Sequence, residues 1–108
     1  MPEALLVLCT VPDEALADTI ARALVEERLA ACVNRIPGVV STYRWQGAVQ
    51  VDAELLLLVK TTAARFDAVR DRIVALHRYE LPEVVAVTID SGLDRYLGWI
   101  ASETTPAT

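Results

Sequence analysis

The spacing of apolar and polar residues changes along the chain, and each change marks an element. Residues 4–9 form an unbroken apolar run, closed by Thr10-Val11-Pro12-Asp13. That pattern predicts a strand buried on both faces. The period then lengthens. Leu16, Ile20, Ala23 and Leu24 fall on one helical face, with Asp18, Arg22 and Glu26 off it. A helix is therefore expected from the Thr10–Asp13 caps to about Leu29, with Glu27 and Arg28 at its exposed end and Pro12 in a first-turn position.

Residues 31–61 return to a period of two and read as one long β-hairpin turning near Gln46-Gly47. Each arm is about twice the usual strand length of ~5–6 residues. Pro37-Gly38 interrupts the first arm and predicts a bulge rather than a reversal. Tyr43 and Trp45 share a face. On the return arm Val49, Val51, Ala53, Leu55, Leu57 and Val59 alternate onto one face. The other face is polar at Gln50, Asp52 and Glu54 and apolar at Leu56 and Leu58. A small domain cannot cover such arms alone, so the outer half of the hairpin is expected to meet another subunit.

Thr61-Thr62 can cap a second helix, whose inner stripe is Phe66, Val69, Ile73 and Leu76 and whose wet side is Asp67, Arg70, Asp71 and Arg72. Pro82 ends the helical option. Residues 84–89 read as a central strand. Asp90-Ser91-Gly92 opens a last helix with Leu93, Leu97 and Ile100 inward, and residues 102–108 are expected to be a loose tail. The order β-α-β-β-α-β plus a terminal helix is that of an α+β, ferredoxin-like domain with an antiparallel sheet. No linker or repeat divides residues 1–108, which are expected to form a single domain.

Composition narrows the function classes. Of 108 residues, 54% are hydrophobic and 23% charged, which excludes a disordered chain and favours extra burial in an oligomer. The net charge of −5 argues against nucleic acid as a partner, since phosphate binding needs a basic footprint. Cys9 and Cys32 lie in strand-like runs without CxxC spacing and read as reduced thiols. The N-terminal apolar run lacks a positive flank and is too short to span a membrane, so a cytoplasmic protein is expected.

The densest chemistry lies in His77-Arg78-Tyr79-Glu80-Leu81-Pro82-Glu83. His77, the only histidine, and Cys9 offer donors for a soft or borderline metal ion. A tight site wants three or four ligands, and the chain offers no obvious set. The alternative is that His77 closes a helix. Cys9 reads as too buried for a nucleophile. Glu80 and Glu83 could pair for acid–base work or simply be solvated charges. Tyr43, Trp45, Tyr96 and Trp99 could stack a planar ligand, but such aromatics more often anchor interfaces. There is no phosphate loop, dinucleotide fingerprint or GxSxG elbow. A binding protein without catalytic residues or an organic cofactor is expected, with a subunit interface at Tyr43, Trp45, Glu54 and Trp99.

LCTVPDEALADTIARALVEERLAACVNRIPGVVSTYRWQG, LLLLVKTT and LHRYELPEVVAVTIDSGLDRYLGWI together resemble the CutA, or divalent-cation tolerance, family. The RLAACVN and IPGV segments, the Trp-x-Gly turn and the H-x-Y-x-x-P-E run carry the likeness, which extends from about Leu5 to Ile100. The resemblance implies a homotrimer built through long hairpins, an architecture similar to that of PII-type signalling proteins, and a link to copper and other divalent cations. It implies no established catalytic activity. In some bacterial members copper is held by the cysteine and histidine at the positions of Cys9 and His77. The chain departs from the pattern at Arg78, where proline is usual, at Leu76, where some members carry a second histidine, and at Arg44, Gln46 and Ala48 around the turn. Arg78 is expected to bring a positive charge beside the cation site. A PII-like sensor of a small organic molecule is the alternative function.

Overall fold

The structure, a computed structural model, describes residues 3–106. Strand β1 is Ala4–Val11, helix α1 Glu14–Glu26, β2 Cys32–Trp45, β3 Ala48–Thr62, α2 Phe66–Leu76, β4 Val85–Thr88 and α3 Asp94–Glu103. One 3-10 turn, Ala63–Arg65, leads into α2. The four strands form one antiparallel sheet in the order β2-β3-β1-β4. The α+β architecture and the long hairpin are as the periodicity predicts.

Helix α1 starts where its cap dictates. The Asp13 carboxylate accepts a hydrogen bond from the Leu16 N–H at 2.8 Å, which satisfies one of the free first-turn donors. The helix stops three residues earlier than its apolar pattern suggests. Arg28 takes a left-handed φ of 59°, Leu29 N–H bonds to the Leu24 carbonyl at 2.9 Å, and Arg28 N–H bonds to that of Val25 at 3.1 Å. This is a Schellman closure, usually built on glycine. Arginine here costs about 1–2 kcal/mol of backbone strain. Its guanidinium compensates by donating to the carbonyls of Thr105 at 2.9 Å and Ser102 at 3.0 Å.

That clamp changes the reading of the C-terminal end. Ser102 and Glu103 belong to α3, Thr104 is buried, and Thr105 is held by Arg28, so the expected loose tail is tied down this far. Residues 107–108 lie outside the described residues. Helix α3 also begins later than its sequence suggests, at Asp94, with Leu93 at its cap and no side-chain cap bond. Nor does Thr62 cap the turn before α2 with its side chain, and the Thr61 hydroxyl instead donates to the Leu29 carbonyl at 2.7 Å.

The hairpin turns at Gln46 (φ 49°) and Gly47 (φ 81°), both in the left-handed region that a two-residue type I′ turn requires. The register shifts between Ile36 and Val39, where Gly38 has φ +80°. This is the bulge expected at Pro37-Gly38. The long molecular axis of 45 Å matches a 14-residue strand at about 3.3 Å per residue.

The core lies between α1, α2 and one face of the sheet. Val7, Cys9 and Val11 of β1 and Leu57 and Val59 of β3 meet Ile20 and Leu24 of α1 and Val69 and Ile73 of α2. Each large side chain buried there contributes about 1.5–3 kcal/mol. Helix α3 packs on the other face: the Lys60 ammonium lies 5.8 Å from the Tyr96 ring centroid, and Lys60 alternates away from Val59. Strand β4 is not the central strand that its β-branched run suggests. It pairs only with β1, forms the sheet edge, and all four of its residues are exposed. A run of apolar residues marks a strand but does not place it in the sheet.

Candidate functional site

The segment between α2 and β4 carries His77 across the end of β1. His77 closes α2, its N–H bonding to the Ile73 carbonyl at 2.8 Å. Its extended backbone (φ −71°, ψ 147°) then turns the ring toward the sheet. Nδ1 accepts the Tyr79 N–H at 3.1 Å, and Nε2 lies 2.8 Å from the Thr10 carbonyl oxygen. Only the tautomer with its hydrogen on Nε2 makes both bonds. Cys9 Sγ lies 3.7 Å from the same carbonyl oxygen. The fold thus brings His77 to the backbone of the residue that follows Cys9.

Their chemistry at that point is constrained. Cys9 is fully buried, and burial, followed by the nearby negative charges of Glu83 and Glu54, pushes its thiol up to about 12. Both ring nitrogens of His77 are committed to the backbone. Among the described residues no group of three or more His, Cys, Asp or Glu side chains is set to hold a metal ion. One subunit therefore supplies two donors of suitable type and no closed coordination shell.

Arg78, the residue after His77, has its charge paired with the start of α1. Its guanidinium donates to both carboxylate oxygens of Asp13, at 2.8 and 2.7 Å. The Leu16 N–H and then Arg78 hold the Asp13 carboxyl below its usual range. This ion pair, made through the single nitrogen Nη2, ties the loop to the start of α1.

Beyond His77 the loop forms one side of a cleft of about 700 Å³. Thr10 and Glu54 also line it, and Tyr43, Arg44 and Trp45 come from the outer part of β2. Glu54 is only 8% exposed, and the Tyr79 hydroxyl donates to its Oε2 at 2.8 Å. Desolvation and then Glu54 push the Tyr79 phenol above its ordinary range. The Tyr43 hydroxyl donates to the Asp52 carboxylate, which raises the Tyr43 phenol as well. The Tyr79 ring also packs against His77 at a tilt of 41°, with ring centroids 4.6 Å apart.

Three residues expected at an interface, Tyr43, Trp45 and Glu54, come together in this cleft. Trp99 does not line it. It lies on α3 beside Tyr96, with centroids 5.4 Å apart. The Tyr79–Glu54 bond and the Arg78–Asp13 clamp escape sequence reasoning, because each joins residues far apart in the chain. The only signal for them is the density of polar residues in the loop.

Residues 5–103 match the family model described as CutA1 divalent ion tolerance protein. The Divalent-cation tolerance protein CutA of Thermus thermophilus is 58% identical over 98 residues, covering 91% of this chain and 95% of that protein. Human Protein CutA is 43% identical over 95 residues, 88% of this chain, but the chain spans only 53% of the human protein's length. Among solved structures, the Thermus thermophilus divalent cation tolerance protein superposes with a TM-score of 0.92 at 56% identity, covering 94% of this chain and 99% of that one. CutA1 from Oryza sativa gives 0.94 at 40% identity, covering 98% and 97%.

Proposed function

The chain belongs to the CutA1 divalent ion tolerance family, and on that premise we propose that it is a cytoplasmic homotrimeric binding protein that takes up copper(II), or another divalent cation, weakly at Cys9 and His77. The observation that carries this reading is that His77 reaches the carbonyl of Thr10, the neighbour of Cys9. A cation there is cargo. To hold it, Cys9 must give up a proton and His77 one backbone bond, which makes the binding weak. Glu83 and Glu54 favour a cation through the same negative field that raises the thiol.

The trimer is supported by apolar side chains that nothing in the subunit covers and by two unpaired sheet edges, β2 and β4. Different edges pairing between neighbours produce a head-to-tail ring. Both cysteines are free, which suits a reducing compartment. No helix among the described residues is long and apolar enough to cross a membrane. A binding role rather than an enzymatic one is supported by Cys9 and Tyr79, whose acidities move away from neutrality, opposite to what a nucleophile or general base needs.

Calorimetric titration of copper(II) into the reduced protein and into His77→Ala tests the proposal. Saturable binding at one ion per subunit or fewer, lost in the variant, is expected. Binding that is absent, or unchanged by the substitution, would refute the Cys9–His77 site.

The cleft favours a second reading, a PII-like trimer that senses a small organic molecule. Its volume of about 700 Å³ is that of a small-molecule site, far larger than an ion needs.

A further inference from the structure

Glu54 is the most informative group in the cleft. Its side chain is more than nine-tenths buried, yet among the described residues only one of its oxygens has a hydrogen-bond partner, the Tyr79 hydroxyl. Among the described residues the one side-chain polar atom both sealed from solvent and without a partner is Arg65 Nε, so the other Glu54 oxygen keeps an opening to solvent. The second oxygen is therefore available to a donor that enters the cleft.

The charge around it selects that donor. Glu80 and Glu83 line the same cleft, so three carboxylates face it. Two guanidiniums line it as well, but Arg78 is paired through Nη2 with both carboxylate oxygens of Asp13. Only Arg44 opposes three acidic groups, and a negative field remains. Three aromatic rings, Tyr43, Trp45 and Tyr79, share the remaining surface with Leu81 and the hydroxyl side chains of Thr10, Ser41 and Thr42. Aromatic faces carry negative charge density and attract cations with apolar bodies. An anion would meet carboxylates and ring faces. A bare metal ion would gain little from the rings and leave most of the volume unfilled.

We propose that the cleft binds an organic ammonium ion, its N–H groups donating to Glu54 and its hydrocarbon body packed against Tyr43, Trp45 and Tyr79. This assignment rests on the small-molecule reading above and names the ligand class for it. It is independent of the Cys9–His77 site.

Three probes with one ring and three charges test it: cyclohexylammonium, cyclohexanol and cyclohexanecarboxylate. Each is titrated calorimetrically into the full chain at neutral pH with EDTA present, so that no metal bridges protein and probe. Saturable binding of the ammonium alone is expected. Glu54→Gln should weaken it about tenfold or more, the loss of one charge-assisted bond. Glu83→Gln, on an exposed residue whose replacement leaves the fold intact, should weaken it about two- to fivefold. Carboxylate or alcohol binding as tight as the ammonium would overturn the ligand class and leave the small-molecule reading standing. Silence from all three probes would overturn the class and remove the support for that reading too. Ammonium binding unchanged in both variants would place the cation elsewhere and overturn the assignment.

Discussion

The inner and outer halves of the β2–β3 hairpin share one ladder and one alternation, yet their side chains lead different lives. On β3, Leu55, Leu57 and Val59 are buried under α1 and α2. A few residues further out, Val49 and Val51 are 61% and 62% exposed, and Val40 across the ladder is 68% exposed. On the face that carries Val49, Val51, Ala53, Leu55, Leu57 and Val59, neither the apolar character nor the period changes at the boundary. What changes is the cover, because the helices end before the hairpin does. Alternation assigns a side chain to a face, and only the neighbouring layer decides whether that face is dry. Glu54 sits at the seam, and the bulge between Ile36 and Val39 lies opposite it.

The sharpest break of this comparison is one substitution on each side. Leu57→Ala should cost about 2–5 kcal/mol in urea unfolding, because a fully buried side chain leaves a cavity. Val51→Arg should leave the subunit's circular dichroism intact but convert the expected trimer to smaller species by light scattering. Equal loss of subunit structure in both variants would place Val51 in the subunit core. A monomer mass for the parent chain would remove the reason for the apolar outer half.

Backbone substitutions sharpen the comparison at the bulge. A Cβ at Gly38 would meet nothing within 4 Å, so Gly38→Ala tests φ +80° alone and should destabilise by about 1 kcal/mol. Gly98 in α3 is equally open and has no such φ, so Gly98→Ala should stabilise by up to about 1 kcal/mol. Thermal unfolding of the pair separates conformational strain from crowding.

The smallest effect is chemical. Cys9, in the inner region, should resist alkylation at pH 8 in the native protein and react once it is unfolded. A thiol raised in the folded state also has a defined linkage. Its contribution to stability is complete below the ordinary thiol value of 9.0 and is lost as pH rises toward about 12. Cys9→Ala should flatten the alkaline limb of a stability–pH curve. An unchanged limb would show that other groups set it.

The elements were legible because each rests on local rules. The Asp13 cap, the Pro37-Gly38 bulge and the Gln46-Gly47 turn follow from what one or two residues can do with their own backbone. The late points of failure share a cause. α1 ends early because Arg28 finds partners in residues 102 and 105, and β4 lies at an edge although its residues resemble a central strand. Each depends on groups more than fifty residues away in the chain.

The site divides in the same way. The sequence by itself determined the strand and helix order, the long hairpin, and the concentration of polar chemistry in residues 77–83. It also named Cys9 and His77 as the available soft donors. Tertiary structure alone decided that His77 reaches the carbonyl of Thr10, the neighbour of Cys9, that Arg78 turns to Asp13, and that Tyr79 seals one oxygen of Glu54. Periodicity and capping act over one or two turns of chain. A hydrogen bond across 65 or 25 residues exists only once the sheet and its helices have packed and fixed the distance.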